Sequence, residues 1–210
     1  MKDKGVLIVI SGFAGSGKGT ITKELINRYD NYCLSVSATT RAPRPGEEHG
    51  REYFFVSRDE FEEMIQKNDL LEHTEYVGNY YGTPRPYVEK MLTEGKDVIL
   101  EIEYIGGFNV KKAFNEAVLI FITPPSVQEV YNRLKGRNTE SEDVILKRIK
   151  RGQEEAEIIA DYDYIVVNDD VETAIADIHH TIQCSKFASE RNTEFVNNLK
   201  QEFDEFLKKH

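Results

Sequence analysis

Ten residues near the start of the chain, Ser11 to Thr20, read SGFAGSGKGT and have the composition of a phosphate-binding loop. Within this stretch, Gly12, Gly17 and Lys18 fit the first seven positions of the pattern GxxxxGK[ST]. Glycines let a tight turn direct several backbone N–H groups at one anion, and the lysine adds a full positive charge. The spacing therefore predicts a site for the β- and γ-phosphates of a nucleoside triphosphate.

The flanking sequence supplies the context that this motif requires. A wholly apolar run, Val6 to Ile10, precedes the loop and predicts a strand, and Ile21 to Tyr29 follows with helical periodicity. The N-terminus of that helix adds a partial positive charge. An ordinary glycine-rich turn is the alternative, which this context disfavours. Gly19 stands where Ser or Thr normally follows the lysine, so the hydroxyl that usually ligates magnesium is missing or displaced to Thr20.

Two further cations, Arg41 and Arg44, lie in the proline-rich segment TRAPRPG, with Tyr53 following nearby. The prolines keep this segment out of a helix and present both guanidiniums on a semi-rigid loop. A guanidinium fork matches phosphate oxygens through paired hydrogen bonds. The spacing alone leaves two interpretations open, a second phosphate site or a solvated basic loop.

A second group of arginines occupies a helix–loop–helix pattern. Its members are Arg133, Arg137, Arg148 and Arg151. Because the formal net charge of the chain is −10, such a cluster favours a mobile lid beside the triphosphate site. The alternative is a salt-bridged surface helix, since glutamates follow at 154, 155 and 157.

Carboxylates are predicted where an apolar strand, Val98 to Ile102, reaches its carboxyl end. Alternation puts Glu101 and Glu103 on the same side of this strand. Ligands of α/β sheets bind at that end, so these groups could hold magnesium through water or accept hydrogen bonds from a base. Glu72, inside another strand-like run, offers the same chemistry, although an isolated glutamate is more often solvated.

These residues require a scaffold, and the apolar pattern predicts an α/β fold with a mostly parallel sheet, as in P-loop nucleotide-binding proteins. The predicted strands are Val6–Ile10, Val98–Ile102, Val118–Ile122 and Tyr164–Val167. Residues 35–95 break this rhythm and predict a small α+β insertion that closes over the site.

Three helices are predicted outside this alternating core. Within the insertion, Ser57 and Glu60 are spaced as a capping box for a helix through about Lys67. In the basic region one long helix is expected from Glu140 to Ala160, with Thr139 and Glu142 spaced as a second box. The tail 185–210 carries apolar residues at helical spacing and predicts an amphipathic helix docked on the domain or on a second subunit.

Composition narrows the class of protein. At 210 residues the chain fits one domain with a small insertion, and its net negative charge argues against non-specific nucleic-acid binding. No apolar run approaches the roughly 20 residues that cross a membrane, and no signal peptide is expected. Cys33 and Cys184 match no metal spacing, and the histidines show none either, so no metal-ligating set and two unpaired cytoplasmic thiols are expected.

Taken together, these residues resemble the guanylate kinases, a family of nucleoside monophosphate kinases. The resemblance covers about residues 5–183, and SATTRAPRPG together with GNYYGT is close to diagnostic. The blocks, in order, are GFAGSGKGT, SVSATTRAPRPG (35–46), REYFFVSRDEF (51–61), GNYYGT (78–83), LEIE (100–103), RLKGRNTE (133–140) and YIVVND (164–169).

The resemblance implies phosphorylation of GMP, and of dGMP, by ATP with Mg²⁺. The ATP phosphates would lie on Gly12, Phe13, Ala14, Gly15, Ser16, Gly17, Lys18, Gly19 and Thr20, with the adenine near Asn168 and Asp169. The GMP site would be formed by Ser37, Arg41, Arg44, Tyr53, Glu72, Tyr81, Thr83, Glu101 and Glu103. The expected catalytic residues are Lys18, Arg44, Arg137 and Arg148.

The same resemblance implies a domain division and leaves two rival functions. A kinase domain would span 1–184, with its core at 1–34 and 96–184, a GMP-binding region at 35–95 and a lid at about 133–152, before a helical extension at 185–210. Glu103, Ile105 and Asn138 replace an aspartate, a glutamine and a glycine usual in the family. The alternatives are a non-catalytic phosphopeptide-binding scaffold and a kinase for another phosphorylated acceptor. A homodimer is left open.

Overall fold

The structure is a computed structural model that describes residues 4–76, 78–136 and 141–210. Its strands are β1 (Leu7–Gly12), β2 (Tyr32–Leu34), β3 (Ser37–Thr39), β4 (Tyr53–Phe55), β5 (Leu70–Tyr76), β6 (Asn79–Pro84), β7 (Asp97–Glu101), β8 (Val118–Thr123) and β9 (Tyr164–Val167). Its helices are α1 (Lys18–Arg28), α2 (Arg58–Gln66), α3 (Arg85–Thr93), α4 (Tyr104–Ala113), α5 (Val127–Gly136), α6 (Glu142–Ala156), α7 (Val171–Ser185) and α8 (Thr193–Lys209).

The main sheet is parallel and has the order β2-β7-β1-β8-β9. The central strand β1 is apolar from Leu7 to Ile10 because both of its faces are covered there. Ile8 and Ile10 pack toward α1 and α7, whereas Leu7 and Val9 pack toward α3 and α4. All four side chains are fully buried. The predicted α/β fold is confirmed, and β1 delivers the phosphate loop at its carboxyl end, between two neighbouring strands.

A second, four-stranded sheet has the order β4-β3-β6-β5 and forms the predicted insertion. Its helix α2 begins with the predicted capping box: the Ser57 side chain accepts from the Glu60 backbone N–H, and the Glu60 carboxylate accepts from Ser57. Phe61 on the same helix is fully buried against Ala38 and Leu70. The box fixes where α2 starts, and this start places Phe61 in the small core.

The predicted long helix from Glu140 to Ala160 is wrong at its C-terminal end. α6 ends at Ala156, and a short 3-10 helix follows at Ile159–Asp161. Ile158, Ile159 and Tyr162 pack against the core beneath the main sheet, so the chain leaves the helix axis to bury them. At its start the N-cap is Ser141, without a side-chain capping bond, and the expected cap Thr139 lies outside the described residues.

The C-terminal helix α8 differs from the expectation of docking on the domain. None of its residues is buried. Its apolar residues Phe195, Val196, Leu199, Phe203, Phe206 and Leu207 are all exposed. The structure does not pack these residues on the domain, and contact with a second subunit stays a prediction. Among the described residues, no helix has the length and apolar character needed to cross a membrane.

Candidate active site

The phosphate loop joins β1 to α1, and two of its glycines are required by their surroundings. Gly17 caps α1 with φ 90° and ψ 12°, in the left-handed region that favours glycine. A Cβ atom there would lie 2.4 Å from Nδ2 of Asn168, and one on Gly12 would lie 2.1 Å from the carbonyl oxygen of Ile122. The loop can therefore approach the neighbouring strand ends only because these positions lack a side chain.

Lys18 is folded back over this loop at the N-terminus of α1. Its Nζ donates to the carbonyl oxygens of Gly12 and Phe13, the second at 3.2 Å. A cavity of about 510 Å³ opens over the loop, lined by residues 13–20 together with Glu101 and Arg148. An anion in this cavity would meet the lysine, the positive end of α1 and an arginine from α6.

Asn168, expected near the adenine, fastens the phosphate loop in this structure. Its Nδ2 donates to the carbonyl oxygen of Ser16 at 2.7 Å, and the residue is only 2% exposed. Its own backbone N–H donates to Thr123 at the end of β8. The amide thus ties the loop to the adjacent strand, while the neighbouring Asp169 is exposed. Contact of either residue with adenine stays a prediction, and the fastening role was not foreseen.

A second cavity of about 490 Å³ adjoins the first and carries charges of both signs. Its charged lining residues are Lys18, Glu101, Glu103, Arg148, Arg151 and Glu155. Glu101 is the last residue of β7, and Glu103 is the N-cap of α4. Both carboxylates therefore reach the same cavity, although Glu103 follows the strand instead of continuing its alternation.

Arg151 links the lid helix α6 to this cavity. Its Nη2 donates to Oε2 of Glu103 at 2.7 Å, and its Nε lies 3.4 Å from Oε1 of Glu155. Burial raises the pKa of Glu155, and the charges of Arg151 and Lys18 oppose that rise. Sequence reasoning did not single out Glu155, because it is one of several glutamates in a charged helix.

The predicted arginine cluster is divided by the structure. Arg148 and Arg151 line the cavities, whereas Arg133 donates to Glu129 at 2.7 Å and to the carbonyl oxygen of Asn168 at 3.0 Å. Arg133 thus supports the segment behind the phosphate loop. Arg137 lies outside the described residues, as does Asn138.

Strand pairing in the insertion brings several of the predicted acceptor residues close to one another. β3 pairs with β4 and β6, which places Ser37 opposite Tyr53 and Thr39 opposite Tyr81. The Tyr53 and Tyr81 rings are 6.0 Å apart. The Arg41 guanidinium lies 5.4 Å from the centre of the Tyr53 ring, within cation–π distance.

Arg41 also bonds Glu47, a residue that sequence reasoning missed, whereas Arg44 is exposed. The signal was slight, since a glutamate six residues after an arginine is common in charged loops.

The half-buried Glu72 and the buried Thr83 form a polar pair at the base of the insertion. The Thr83 hydroxyl donates to Oε1 of Glu72 at 2.7 Å across β5 and β6. Burial raises the pKa of Glu72, and the hydrogen bonds from Thr83 lower it. Gly106 at the start of α4 leaves room beside this carboxylate, since a Cβ atom there would lie 3.2 Å from Oε2. The pair provides an acceptor and a hydroxyl for recognition of a polar ring edge.

Comparison with known proteins agrees with this arrangement. The family model described as guanylate kinase matches residues 4–185. A guanylate kinase of Streptococcus thermophilus is 50% identical over 192 residues, covering 91% of this chain and 92% of that protein. One from Bacillus cereus is 56% identical over 172 residues, covering 81% and 84%. The crystal structure of guanylate kinase from Anaplasma phagocytophilum matches with a TM-score of 0.72 at 31% identity, covering 97% of each chain. The chain belongs to the guanylate kinase family.

Proposed function

We propose that this chain transfers the γ-phosphoryl group of ATP to GMP, giving ADP and GDP. The observation that carries this proposal is the convergence of Lys18, Arg148 and Glu101 on the cavity over the phosphate loop. A working phosphate loop is paired with a separate recognition surface in the insertion. The kinase domain 1–184, with its core, GMP-binding region and lid at the predicted bounds, is part of the proposal.

The donor half binds and orients ATP. Backbone N–H groups of residues 12–20 and the Lys18 ammonium hold the β- and γ-phosphates, with the adenine toward Asn168 and Asp169. Phosphoryl transfer needs alignment and neutralisation of charge more than covalent help. Arg148 approaches from α6, and Arg137 is assigned the same role by the family motif. These cations stabilise the charge that spreads over the migrating phosphoryl group.

The acceptor half holds GMP in line with the γ-phosphate. Arg41, Arg44, Tyr53 and Tyr81 bind its phosphate, and Ser37, Glu72 and Thr83 contact the guanine. A carboxylate at Glu72 accepts from guanine N1–H and N2–H₂, whereas adenine has no such pair of donors. The Glu72–Thr83 pair therefore favours guanine as the base.

The carboxylates beside the phosphate loop, Glu101 and Glu103, fit a magnesium ion. Mg²⁺ prefers oxygen ligands and is usually held by one or two carboxylates together with substrate phosphates and water. Glu101 lines both cavities next to the phosphate loop and supplies such a carboxylate, with Glu103 near it. Bound there with ATP, the ion would neutralise charge on the phosphates. Thr20 is exposed at the loop, and its hydroxyl is not required for this arrangement.

The proposal is tested by measuring ADP release with ATP and a panel of GMP, dGMP, AMP, UMP and dTMP. Turnover with GMP, and with dGMP as a second acceptor, is expected, with little or none for the other nucleotides. If turnover occurred only with another monophosphate, that nucleotide and not GMP would be the acceptor. No ADP release with any of them, together with binding of a phosphopeptide, would support the scaffold alternative.

Two further parts of the proposal concern the setting of the enzyme. The exposed apolar face of α8 supports contact with a second copy in a homodimer, which sedimentation at several concentrations would test.

Free Cys33 and Cys184 are in keeping with a reducing, cytoplasmic location. Alkylation of both thiols in protein taken directly from cells would support that location.

A further inference from the structure

Glu47 makes a closed set of contacts with the arginine loop of the insertion. Its two carboxylate oxygens accept from Nη2 of Arg41 at 3.0 and 2.9 Å. Its Oε2 also accepts from the backbone N–H of Arg44 at 2.8 Å, and its own N–H donates to the Arg44 carbonyl oxygen at 3.0 Å. One side chain thus joins the first arginine to the backbone of the second.

These contacts are more enclosed than those of an ordinary surface ion pair. The side chains of Arg41 and Glu47 are 15% and 17% exposed. The Arg41 guanidinium is also held by the Tyr53 and Phe55 rings, and its Nη1 donates to the carbonyl oxygen of Ala42 at 2.8 Å. Charge-assisted hydrogen bonds in a partly dry setting are stronger and more directional than exposed ones.

The geometry leaves Arg41 able to bind an anion. A guanidinium has five N–H donors in a rigid fork. The Glu47 carboxylate accepts from Nη2, the Ala42 carbonyl oxygen accepts from Nη1, and the Tyr81 hydroxyl also interacts with the guanidinium, so part of the fork remains available to phosphate oxygens. The backbone N–H of Arg44 and the Arg41 guanidinium hold the pKa of Glu47 below its usual range, in line with a carboxylate fixed in its charged form.

We propose that Glu47 is a positioning residue that fixes Arg41 in its phosphate-binding orientation before the acceptor nucleotide arrives. This inference rests on the proposed function, because it assigns Arg41 to the acceptor phosphate. A long arginine side chain loses conformational freedom when it is immobilised at a binding site. With Glu47 in place, that ordering has already occurred in the free enzyme, and binding the acceptor does not have to supply it.

The test compares Glu47→Gln and Glu47→Ala with the wild-type enzyme. Each should raise KM for GMP about tenfold, the size expected from ordering one rotamer-rich side chain on binding. KM for ATP and kcat should stay near wild type. Glu48→Gln is the matched control, because Glu48 is the next residue, is exposed and pairs with Arg51 instead. It should leave all three constants unchanged.

A double-mutant cycle separates positioning from mere support of the loop. If Glu47 acts through Arg41, the variant Arg41→Ala/Glu47→Ala should have the same KM for GMP as Arg41→Ala alone. Additive effects in the cycle, or an unchanged or lowered KM in Glu47→Gln, would overturn the inference. Glu47→Gln keeps the size of the side chain, so it gives a folded reference if the alanine variant does not fold. Failure of the wild-type enzyme to use GMP would overturn the proposed function instead.

Discussion

At the scale of single residues, Arg148 is a cation that reaches the phosphate loop from a different element. It lines both cavities together with Lys18 and Glu101, although it belongs to α6. An arginine supplied from a mobile element can meet the phosphoryl group during transfer while contributing little to binding of the ground state.

Arg148→Ala should therefore lower kcat by about 10³-fold or more, the range given by arginines that stabilise phosphoryl transfer in other enzymes. KM for ATP should change little, because Lys18 and the loop backbone remain. The measurement is steady-state ADP release with saturating GMP. Lys147→Ala is the control, since Lys147 is exposed on the same helix one position earlier. A kcat near wild type would remove Arg148 from the catalytic group.

Residue types with a direct chemical meaning were predictable from the sequence, and residues that act through others were not. Lys18 and Glu101 are charged residues that the strand-to-loop pattern places at the carboxyl ends of the parallel strands. Both line the cavities. Asn168 and Glu47 act by holding a backbone carbonyl and a guanidinium. Such roles depend on distances between segments far apart in the chain or on the path of a loop, which spacing alone does not contain.

At the scale of elements, the phosphate loop depends on the segment after β9. The Asn168 amide ties Ser16 to the strand ends, and Arg133 of α5 donates to the Asn168 carbonyl oxygen. The loop is therefore held from two sides, by its own glycines and by an amide that follows the last strand of the sheet.

Asn168→Ala should weaken binding at the donor site by loosening this loop. We expect KM for ATP to rise about tenfold, since the variant loses a buried hydrogen bond and leaves the Ser16 carbonyl unsatisfied. Inhibition by inorganic tripolyphosphate should weaken to the same extent, because the probe carries phosphates but no base. KM for GMP serves as the internal control and should not change. Weaker ATP binding with unchanged tripolyphosphate inhibition would mean that Asn168 contacts the adenine and does not fasten the loop.

The contact between α1 and α7 contains a histidine, His179, whose charged form is disfavoured. His179 stacks on Tyr29 with ring centres 3.8 Å apart, and its Nδ1 lies 2.9 Å from the Tyr32 hydroxyl. Partial burial lowers the pKa of His179, with His180 and Lys186 lowering it further and Asp97 opposing. The folded protein therefore binds this proton more weakly than the unfolded chain does.

The resulting pH dependence has a defined sign. The stabilisation from neutral His179 is complete above the unfolded pKa of about 6.5 and is lost as the pH falls below it toward the lowered folded pKa. Urea unfolding at a series of pH values should show this loss in the wild-type enzyme and a smaller loss in His179→Gln. The exposed neighbour variant His180→Gln should retain most of the wild-type loss. If the free energy of unfolding fell with pH equally steeply in the wild type and in His179→Gln, then protonation of His179 would not contribute to stability in this range.

Helices and strands were predictable where one periodicity ran without interruption. β9 coincides with its predicted bounds, and the capping box fixed the start of α2. The end of α6 and the short edge strand β2 were not predictable. In both places distant packing decides the backbone path: Tyr162 is buried under the sheet, and β2 is held by pairing with β7. Local propensity gives no signal for such contacts.

At the scale of the whole molecule, the chain ends with a change from packed to unpacked structure within a few residues. Arg191 closes the packed part: its Nη2 donates to the carbonyl oxygen of Gly5 at 2.9 Å, its Nη1 lies 3.8 Å from the Glu116 carboxylate, and its side chain is 9% exposed. α8 begins two residues later and buries none of its side chains. The boundary of the folded unit should therefore lie between Arg191 and α8, and not at the end of α7.

Two truncations locate this boundary. A chain ending at residue 192 keeps Arg191 and should unfold within a degree or so of the full chain, because α8 adds no buried surface to the domain. A chain ending at residue 187 loses the Arg191 contacts and should melt about 2–6 °C lower, as expected for charge-assisted hydrogen bonds in a protein of this size. Both should retain turnover of GMP, since no residue beyond 187 lines either cavity over the phosphate loop. Equal melting temperatures for the two truncations would contradict the anchoring role of Arg191. A large drop already at residue 192 would show that α8 is stabilised by a contact outside its own domain, such as a second copy of the chain.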